Sequence, residues 1–156
     1  VIAVPGYYTE AALICRQARE LGLTSVFIGG DGWEAPQLTE LGGPAVEGTY
    51  YSTGFSADNS APAVRDFVRR FRHRWDNTDP DSTAALGYDA MMLYADAIRR
   101  AGTTDRAALR AALASTRDFA GVTGRITIDK DRNATKSAVM MRVAAGRTEF
   151  VETVDP

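Results

Sequence analysis

Hydrophobic and polar positions follow two rhythms along this chain. Short unbroken apolar runs at residues 1–4 and 26–28 are closed by Pro5-Gly6 and Gly29-Gly30, the pattern of buried strands that end in turns. Between them Ala11, Ile14, Ala18 and Leu21 recur at helical spacing. That spacing predicts a helix opened by Thr9-Glu10, running to about Leu21 and stopped by Gly22. Residues 24–28 read as a second strand, and 36–41 as a short helix ended by Gly42-Gly43. Residues 47–55 (EGTYYSTGF), rich in Thr, Tyr and Phe, read as a third strand. Strand, helix, strand, helix and strand with short connections predict an α/β layer with a parallel sheet.

The rhythm changes after residue 60. Val64, Phe67, Val68, Phe71 and Trp75 form one helical stripe and predict an amphipathic helix over 61–75. A turn at 77–80 leads to a long helix over 82–101, capped by Asp81 or Ser82 and ended by Gly102. Its apolar face is read as Tyr88, Met91, Met92, Ala95 and Ile98. Thr104 can cap a further helix, 105 to about 115. The end is strand-like: 122–128, then 137–144 after the polar loop 129–136, then 147–154 after a turn at Ala145-Gly146. A three-stranded parallel unit has edges that need cover, and the long helices and last strands are expected to supply some of it. Because the pattern starts at a strand with nothing before it, the chain is expected to be part of a larger body.

Composition narrows the chemistry. The 156 residues suit one domain, with 45% apolar and 24% charged residues, as in an ordinary globular protein. The net charge is -2, which argues against a nucleic-acid footprint. The one basic cluster, 65–74, reads as the solvated face of the amphipathic helix. A single cysteine, Cys15, excludes an internal disulfide, and its place in a helical pattern marks it as a packing residue. With one histidine, His73, far along the chain, neither a zinc site nor a Ser-His-Asp triad is expected. The paired methionines Met91-Met92 and Met140-Met141 read as core or semi-core residues rather than metal ligands. No apolar run approaches the ~20 residues of a membrane-spanning helix. No cofactor is expected.

Candidate chemistry gathers at the ends of the first two strands. Ligands of open α/β sheets bind at the carboxyl ends of parallel strands. One end carries Pro5-Gly6-Tyr7-Tyr8 and the other Gly29-Gly30-Asp31-Gly32-Trp33. Two readings of Asp31 stand: a turn-forming residue among glycines, or a carboxylate presented to a ligand. If the two strands are neighbours, Tyr7 and Asp31 share a rim. A carboxylate beside aromatic rings suits an ammonium group, by charge-assisted hydrogen bonding and cation–π attraction. Glu10 and Glu34 look like first-turn helix residues, so no acid/base pair is expected and binding is favoured over turnover. A dinucleotide site would need G-x-G-x-x-G opening a helix, which Gly29-Gly30-Asp31-Gly32 does not supply. A phosphoacceptor domain would need an acidic cluster after its first strand and a lysine after its last, and neither is found.

Five segments in register carry a resemblance: VIAVPGYYTEAALICRQARELGL, FIGGDGWEAPQL, EGTYYSTGF, AALGYDAMMLYADAI and GVTGRITIDKDRNATKSAVMMRV. Together they resemble the C-terminal half of a type I periplasmic binding protein, of the branched-chain amino acid (Leu/Ile/Val) group that serves ABC importers. The resemblance covers essentially the whole chain. It implies a parallel-sheet, Rossmann-like α/β lobe with extra helices and C-terminal strands. Residues 1–156 would form a partial C-terminal lobe, with segments crossing back toward an absent N-terminal lobe. The first strand and helix of the lobe itself would be absent too. By the resemblance, Asp31 receives the ligand's α-ammonium group and Tyr7 lines the cleft. Tyr8 could exchange roles with Tyr7, and Trp33 is a side wall by position only. Asp89, in the GYDA segment, is expected to make structural hydrogen bonds near a hinge.

The function implied is non-catalytic: binding a branched-chain or related amino acid between two lobes and delivering it to an inner-membrane ABC permease. The compartment would be the periplasm, or the outer face of the cell membrane as a lipoprotein. Association through an exposed lobe face is expected. The same fold could instead serve as the ligand-sensing domain of a receptor or regulator, and a small α/β enzyme is the third alternative.

Overall fold

A computed structural model describes residues 1–156. Eight strands and five helices follow one another in the order β1 (Ile2–Ala3), α1 (Tyr8–Glu20), β2 (Phe27–Gly29), α2 (Pro36–Gly42), β3 (Tyr50–Thr53), α3 (Pro62–Arg74), α4 (Ser82–Ala101), α5 (Arg106–Ala114), β4 (Phe119–Gly121), β5 (Gly124–Ile128), β6 (Ala134–Thr135), β7 (Ala138–Ala144) and β8 (Arg147–Val154). Short 3₁₀ turns occupy Asp31–Trp33 and Gly43–Val46. Where the length suits one domain, these elements form two compact units. The first comprises Val1–Thr53 and Val139–Val154, and the second Gly54–Ala138 and Asp155–Pro156.

The first unit is an α/β layer around the sheet β1-β2-β3-β7-β8. As the pattern predicts, β1, β2 and β3 are parallel, with Ile2 opposite Phe27 and Ile28 opposite Tyr50. The open edge of β3 is covered by β7, which pairs with it antiparallel, Tyr51 opposite Met141. A hairpin then adds β8. Its turn, Ala145-Gly146, holds both residues at positive φ (51° and 74°), the conformation of a two-residue hairpin turn that matches strand twist. Glu47 steadies this turn by accepting hydrogen bonds from the backbone N–H of Ala145 (3.0 Å) and Gly146 (2.6 Å). The core of the unit joins Ala11, Ala12 and Cys15 of α1 to Phe27, Leu38, Val46, Tyr51 and Val143, all buried. Cys15 is 0% exposed, and burial pushes its thiol pKa up, with the Arg19 charge opposing. The thiol therefore stays protonated and serves as packing.

The second unit is built from α3, α4, α5 and the small sheet β4-β5-β6. Val64, Phe67 and Val68 of α3 pack with Phe55 and Ala85, and Phe67 stacks at 4.9 Å from the ring of Tyr88. The basic face of α3 is solvated: Asp66 pairs with Arg69 and Arg70, and Asp79 with Arg72. Trp75 is half-exposed beneath the Arg74 guanidinium rather than buried at the end of the apolar stripe. Asp81 caps α4 by accepting from the N–H of Ala84 at 2.7 Å. The cap of α5 is Asp105, not Thr104; its carboxylate accepts from the N–H of Ala108. The negative carboxylate at the helix start suits the local dipole.

The apolar face expected for α4 is corrected in part: Tyr88 packs beside a core and Ile98 is part-buried, but Ala95 and both methionines are exposed. Met91 is 67% exposed and Met92 45%, so only Met140 and Met141 of the four paired methionines lie in or beside a core. The residues that α4 buries are Ser82, Ala85, Asp89 and Ala97. Asp89 occupies that inner face because it has partners there. Its carboxylate accepts from the backbone N–H of Val122 and of Thr123, each at 2.8 Å. It thereby pins the β4–β5 turn to the helix. Gly121 beside it has no room for a side chain, since a Cβ there would overlap the carboxylate. The Thr123 hydroxyl is buried without a hydrogen-bond partner.

Two stability predictions follow from this pinning. Asp89→Ala strands two backbone N–H groups and is expected to cost about 3 kcal/mol, whereas Thr123→Val removes an unsatisfied hydroxyl and should be neutral or stabilising. Urea midpoints of the two variants check both signs. Acid gives a third. Asp129 is held below the ordinary aspartate range, first by the backbone N–H of Asn133 and then by that of Asp131. Asp96 is likewise lowered, chiefly by Arg100. Depressed carboxyls stabilise the fold above the unfolded value of about 4 and lose that contribution as pH falls through the folded value. Titration followed by NMR should show both carboxyls protonating below the bulk of the chain's aspartates.

Candidate functional site

The site is assembled at the carboxyl ends of β1, β2 and β3, all within the first unit. Because β1 and β2 are direct neighbours, the Gly6-Tyr7 turn and the 3₁₀ turn Asp31–Trp33 leave the sheet side by side. Their closeness is set by glycines. A Cβ on Gly32 would lie 2.6 Å from the Gly6 carbonyl oxygen and 3.2 Å from Cδ1 of Tyr7. A Cβ on Gly29 would fall inside the Trp33 indole. Gly30 meets nothing within 4 Å. Two of these glycines therefore serve close approach of one loop to another.

Tyr7 precedes the first residue of α1 in extended conformation (φ -101°, ψ 167°), and its ring is 70% exposed. Asp31 is exposed at the start of its turn, with no ion pair or side-chain hydrogen bond to the rest of the chain. The two sequence-predicted residues thus share one rim: a free carboxylate and a free phenol ring. Tyr8 turns the other way, half-buried against the core.

Trp33 is a correction. Its side chain is 0% exposed, and its Nε1–H donates to the Val4 carbonyl at 3.2 Å. A ring enclosed on all sides by its own unit presents no wall to a ligand; it ties the ends of β1 and β2 together from beneath. Glu34 is also placed differently from expectation. It follows the 3₁₀ turn instead of opening a helix, and it accepts a hydrogen bond from the hydroxyl of Thr53 at the end of β3. Glu34 and Thr53 extend the rim to the third strand, which the sequence reading missed. The available signal was the end of the EGTYYSTGF run, since each parallel strand has a carboxyl end. Tyr51, buried beneath, is pushed up to about 12, chiefly by burial; the Glu34 charge adds to this and a hydrogen bond to Thr148 opposes it. It stays a neutral phenol.

The rim is open. A hollow of about 440 Å³ beside Arg16, Arg19 and Pro44, and another of about 650 Å³ beside Arg65, Arg69 and Arg72, include neither Asp31 nor Tyr7. No group of three or more His, Cys, Asp or Glu side chains is arranged to hold a metal ion. Asp129, in a polar loop, spends its carboxylate on the N–H groups of Asp131 and Asn133.

A family profile described as periplasmic binding protein matches residues 2–148. The chain belongs to the periplasmic binding protein family. Within it, the Leu/Ile/Val-binding protein homolog 1 of Brucella suis is 33% identical over 125 residues, covering 80% of this chain and 33% of the relative. Among solved structures, a leucine binding protein, LivK, from Thermotoga maritima is 42% identical with a TM-score of 0.88, matching 99% of this chain and 44% of its own. The branched-chain amino acid transporter substrate binding protein LivJ of Streptococcus pneumoniae, solved with isoleucine, is 37% identical with a TM-score of 0.82 and the same coverage. The fold class is thus that of the type I, branched-chain amino acid members of the family. This binding-protein chain spans about a third of the length of its curated relatives and less than half of the solved ones.

The rim geometry yields a paired test. Gly32→Ala drives a methyl group against the Gly6 carbonyl and is expected to cost about 1–3 kcal/mol. Gly30→Ala, with open space and an extended backbone (φ -105°), should stay within about 0.5 kcal/mol of the parent. Chemical denaturation of both variants checks the contrast; equal midpoints would mean the loops do not press on each other at Gly32.

Proposed function

We propose that this chain supplies the ammonium-binding side of an amino-acid binding protein that delivers a branched-chain or related amino acid to an ABC permease, without catalysis. The observation that carries the reading is the pairing of a free, exposed Asp31 carboxylate with the exposed Tyr7 ring on one rim of parallel strand ends. The carboxylate gives an α-ammonium group its opposite charge and hydrogen-bond acceptors. The ring gives it a π face or a phenol oxygen. The relatives' names and the isoleucine complex of LivJ support an aliphatic amino acid as the ligand class. The family supports a place outside the inner membrane, in the periplasm or on the cell surface. In this reading residues 1–156 are a partial C-terminal lobe, the first unit carrying the ligand rim and the second carrying segments that run toward an N-terminal lobe. Trp33 and Tyr8 support the rim from the core side and are not assigned ligand contact.

A thermal-shift scan of the chain with millimolar leucine, isoleucine and valine, beside their N-acetyl derivatives, tests the reading. At ten times the dissociation constant a ligand stabilises the fold by roughly 1.4 kcal/mol. The free amino acids are expected to raise Tm, the N-acetyl forms to leave it unchanged, and Asp31→Asn to abolish the response. A response of equal size in Asp31→Asn, or with the N-acetyl forms, would remove Asp31 from the site.

A further inference from the structure

Helix α3 divides its cations between two tasks. Arg70 lies over the Tyr88 ring, 5.7 Å from its centroid, and pairs with Asp66. Arg74 lies over the Trp75 ring at 4.8 Å. The others, Arg65, Arg69, Arg72 and His73, recur at helical spacing and line one hollow of about 650 Å³ within the second unit. Asn77 adds an amide to this wall, and the buried Val68 lies at its base. No carboxylate is among the lining residues.

The wall is therefore one of donors. A guanidinium carries five N–H donors and no acceptor. Arg69 commits one terminal nitrogen to Asp66, and Arg72 commits its Nε to Asp79. Asp58 acts on Arg72 through its charge alone. Both arginines keep further N–H groups for another acceptor. Arg65 and His73 make no hydrogen bond or ion pair with the rest of the chain. Arg72 and His73 suit the last turn of the helix, where the dipole favours cations. Arg65 stands near the helix start, where the dipole disfavours one, so helix stability does not account for it.

A hollow of this size suits a small organic molecule rather than a bare ion. A phosphate ester fits the donors best. Its charge approaches two, and its three terminal oxygens accept from several guanidiniums at once, whereas a carboxylate offers one charge and two oxygens. We infer that the hollow lined by Arg65, Arg69 and Arg72 is a second binding site, for a phosphate monoester carried by a soluble molecule or by a lipid headgroup. This goes beyond the amino-acid reading and does not depend on it, because none of these residues belongs to the rim of Asp31 and Tyr7.

An NMR titration of the 156-residue chain with glycerol 3-phosphate, at constant ionic strength and beside succinate as the carboxylate control, tests it. Glycerol 3-phosphate is expected to shift the Nε–H signals of Arg65, Arg69 and Arg72 saturably, and succinate to shift them far less. Arg65→Gln should raise Kd about tenfold, and Arg70→Gln, on the Tyr88 side, should leave it within about twofold of the parent. Both substitutions fall on exposed side chains. Co-sedimentation with phosphatidylcholine vesicles, with and without phosphatidic acid, separates the two sources. Pelleting that requires phosphatidic acid and is lost in Arg65→Gln assigns the lipid headgroup; shifts with glycerol 3-phosphate and no pelleting assign the soluble ester. A response to neither probe would overturn the inference. So would an equal response to succinate, binding unchanged in Arg65→Gln, or equal weakening by Arg65→Gln and Arg70→Gln.

Discussion

The first unit depends on where the Trp33 indole goes. The ring lies in the space a side chain at position 29 would fill, and its N–H reaches the carbonyl of Val4, the residue that follows β1. That one placement fixes the spacing between the ends of β1 and β2, turns the chain sharply after β2, and leaves Asp31 on the outside of the turn. A fully buried tryptophan is among the larger packing contributions a small domain can have, and its N–H needs a partner in the core. Here the partner is the neighbouring strand, so burial and sheet geometry are satisfied by the same contact. The glycine-rich stretch is the consequence: Gly29 yields to the ring, Gly32 yields to the Gly6 turn, and the exposed carboxylate is carried between them.

The second unit rests on a comparable arrangement with a charge in place of a ring. Asp89 is 2% exposed, and both of its oxygens are used on backbone N–H groups of one turn. A buried carboxylate is tolerated when its hydrogen bonds are complete. The exposed Met91 and Met92 on the same helix make the point from the other side. The helix turns its acid inward and two of its largest apolar residues outward, because the partners of the acid are inside.

This explains which parts of the molecule were legible in the sequence. The parallel order of β1, β2 and β3, the long helix α4 and the final hairpin follow from runs, spacing and stop signals that act locally. The shared rim of Tyr7 and Asp31 was legible because adjacency of two parallel strands is enough to place it. The structural hydrogen bonds expected of Asp89 are present, but the inner face of α4 was not legible from periodicity, since hydropathy cannot register that an aspartate will meet two N–H groups more than thirty residues away. Trp33 failed for a related reason. A tryptophan beside a candidate ligand residue looks like a wall, and only the missing Cβ of Gly29 reveals the space that takes the ring inward. The short strands β4 and β6 escaped because two or three residues carry too little pattern, and Glu34 because a 3₁₀ turn resembles the start of a helix.

The same geometry limits what the rim accomplishes alone. An exposed carboxylate gains little from a cation in water, typically no more than about 1 kcal/mol, because solvent screens the pair and both ions must give up hydration. The Tyr7 ring adds a comparable amount while it is exposed. Strong binding of an ammonium therefore requires water to be excluded from Asp31 after the ligand arrives, and the open rim does not do this. In the proposed reading, what the strand ends contribute is direction: a single fixed charge, held by a turn that is locked from beneath, would decide which end of a zwitterion faces this unit. Selectivity among aliphatic side chains rests on different contacts, since a methylene in an enclosed pocket is worth ~1–3 kcal/mol and the exposed rim encloses none. Charge orientation and side-chain discrimination are thus separable tasks, and the residues on this rim are suited to the first.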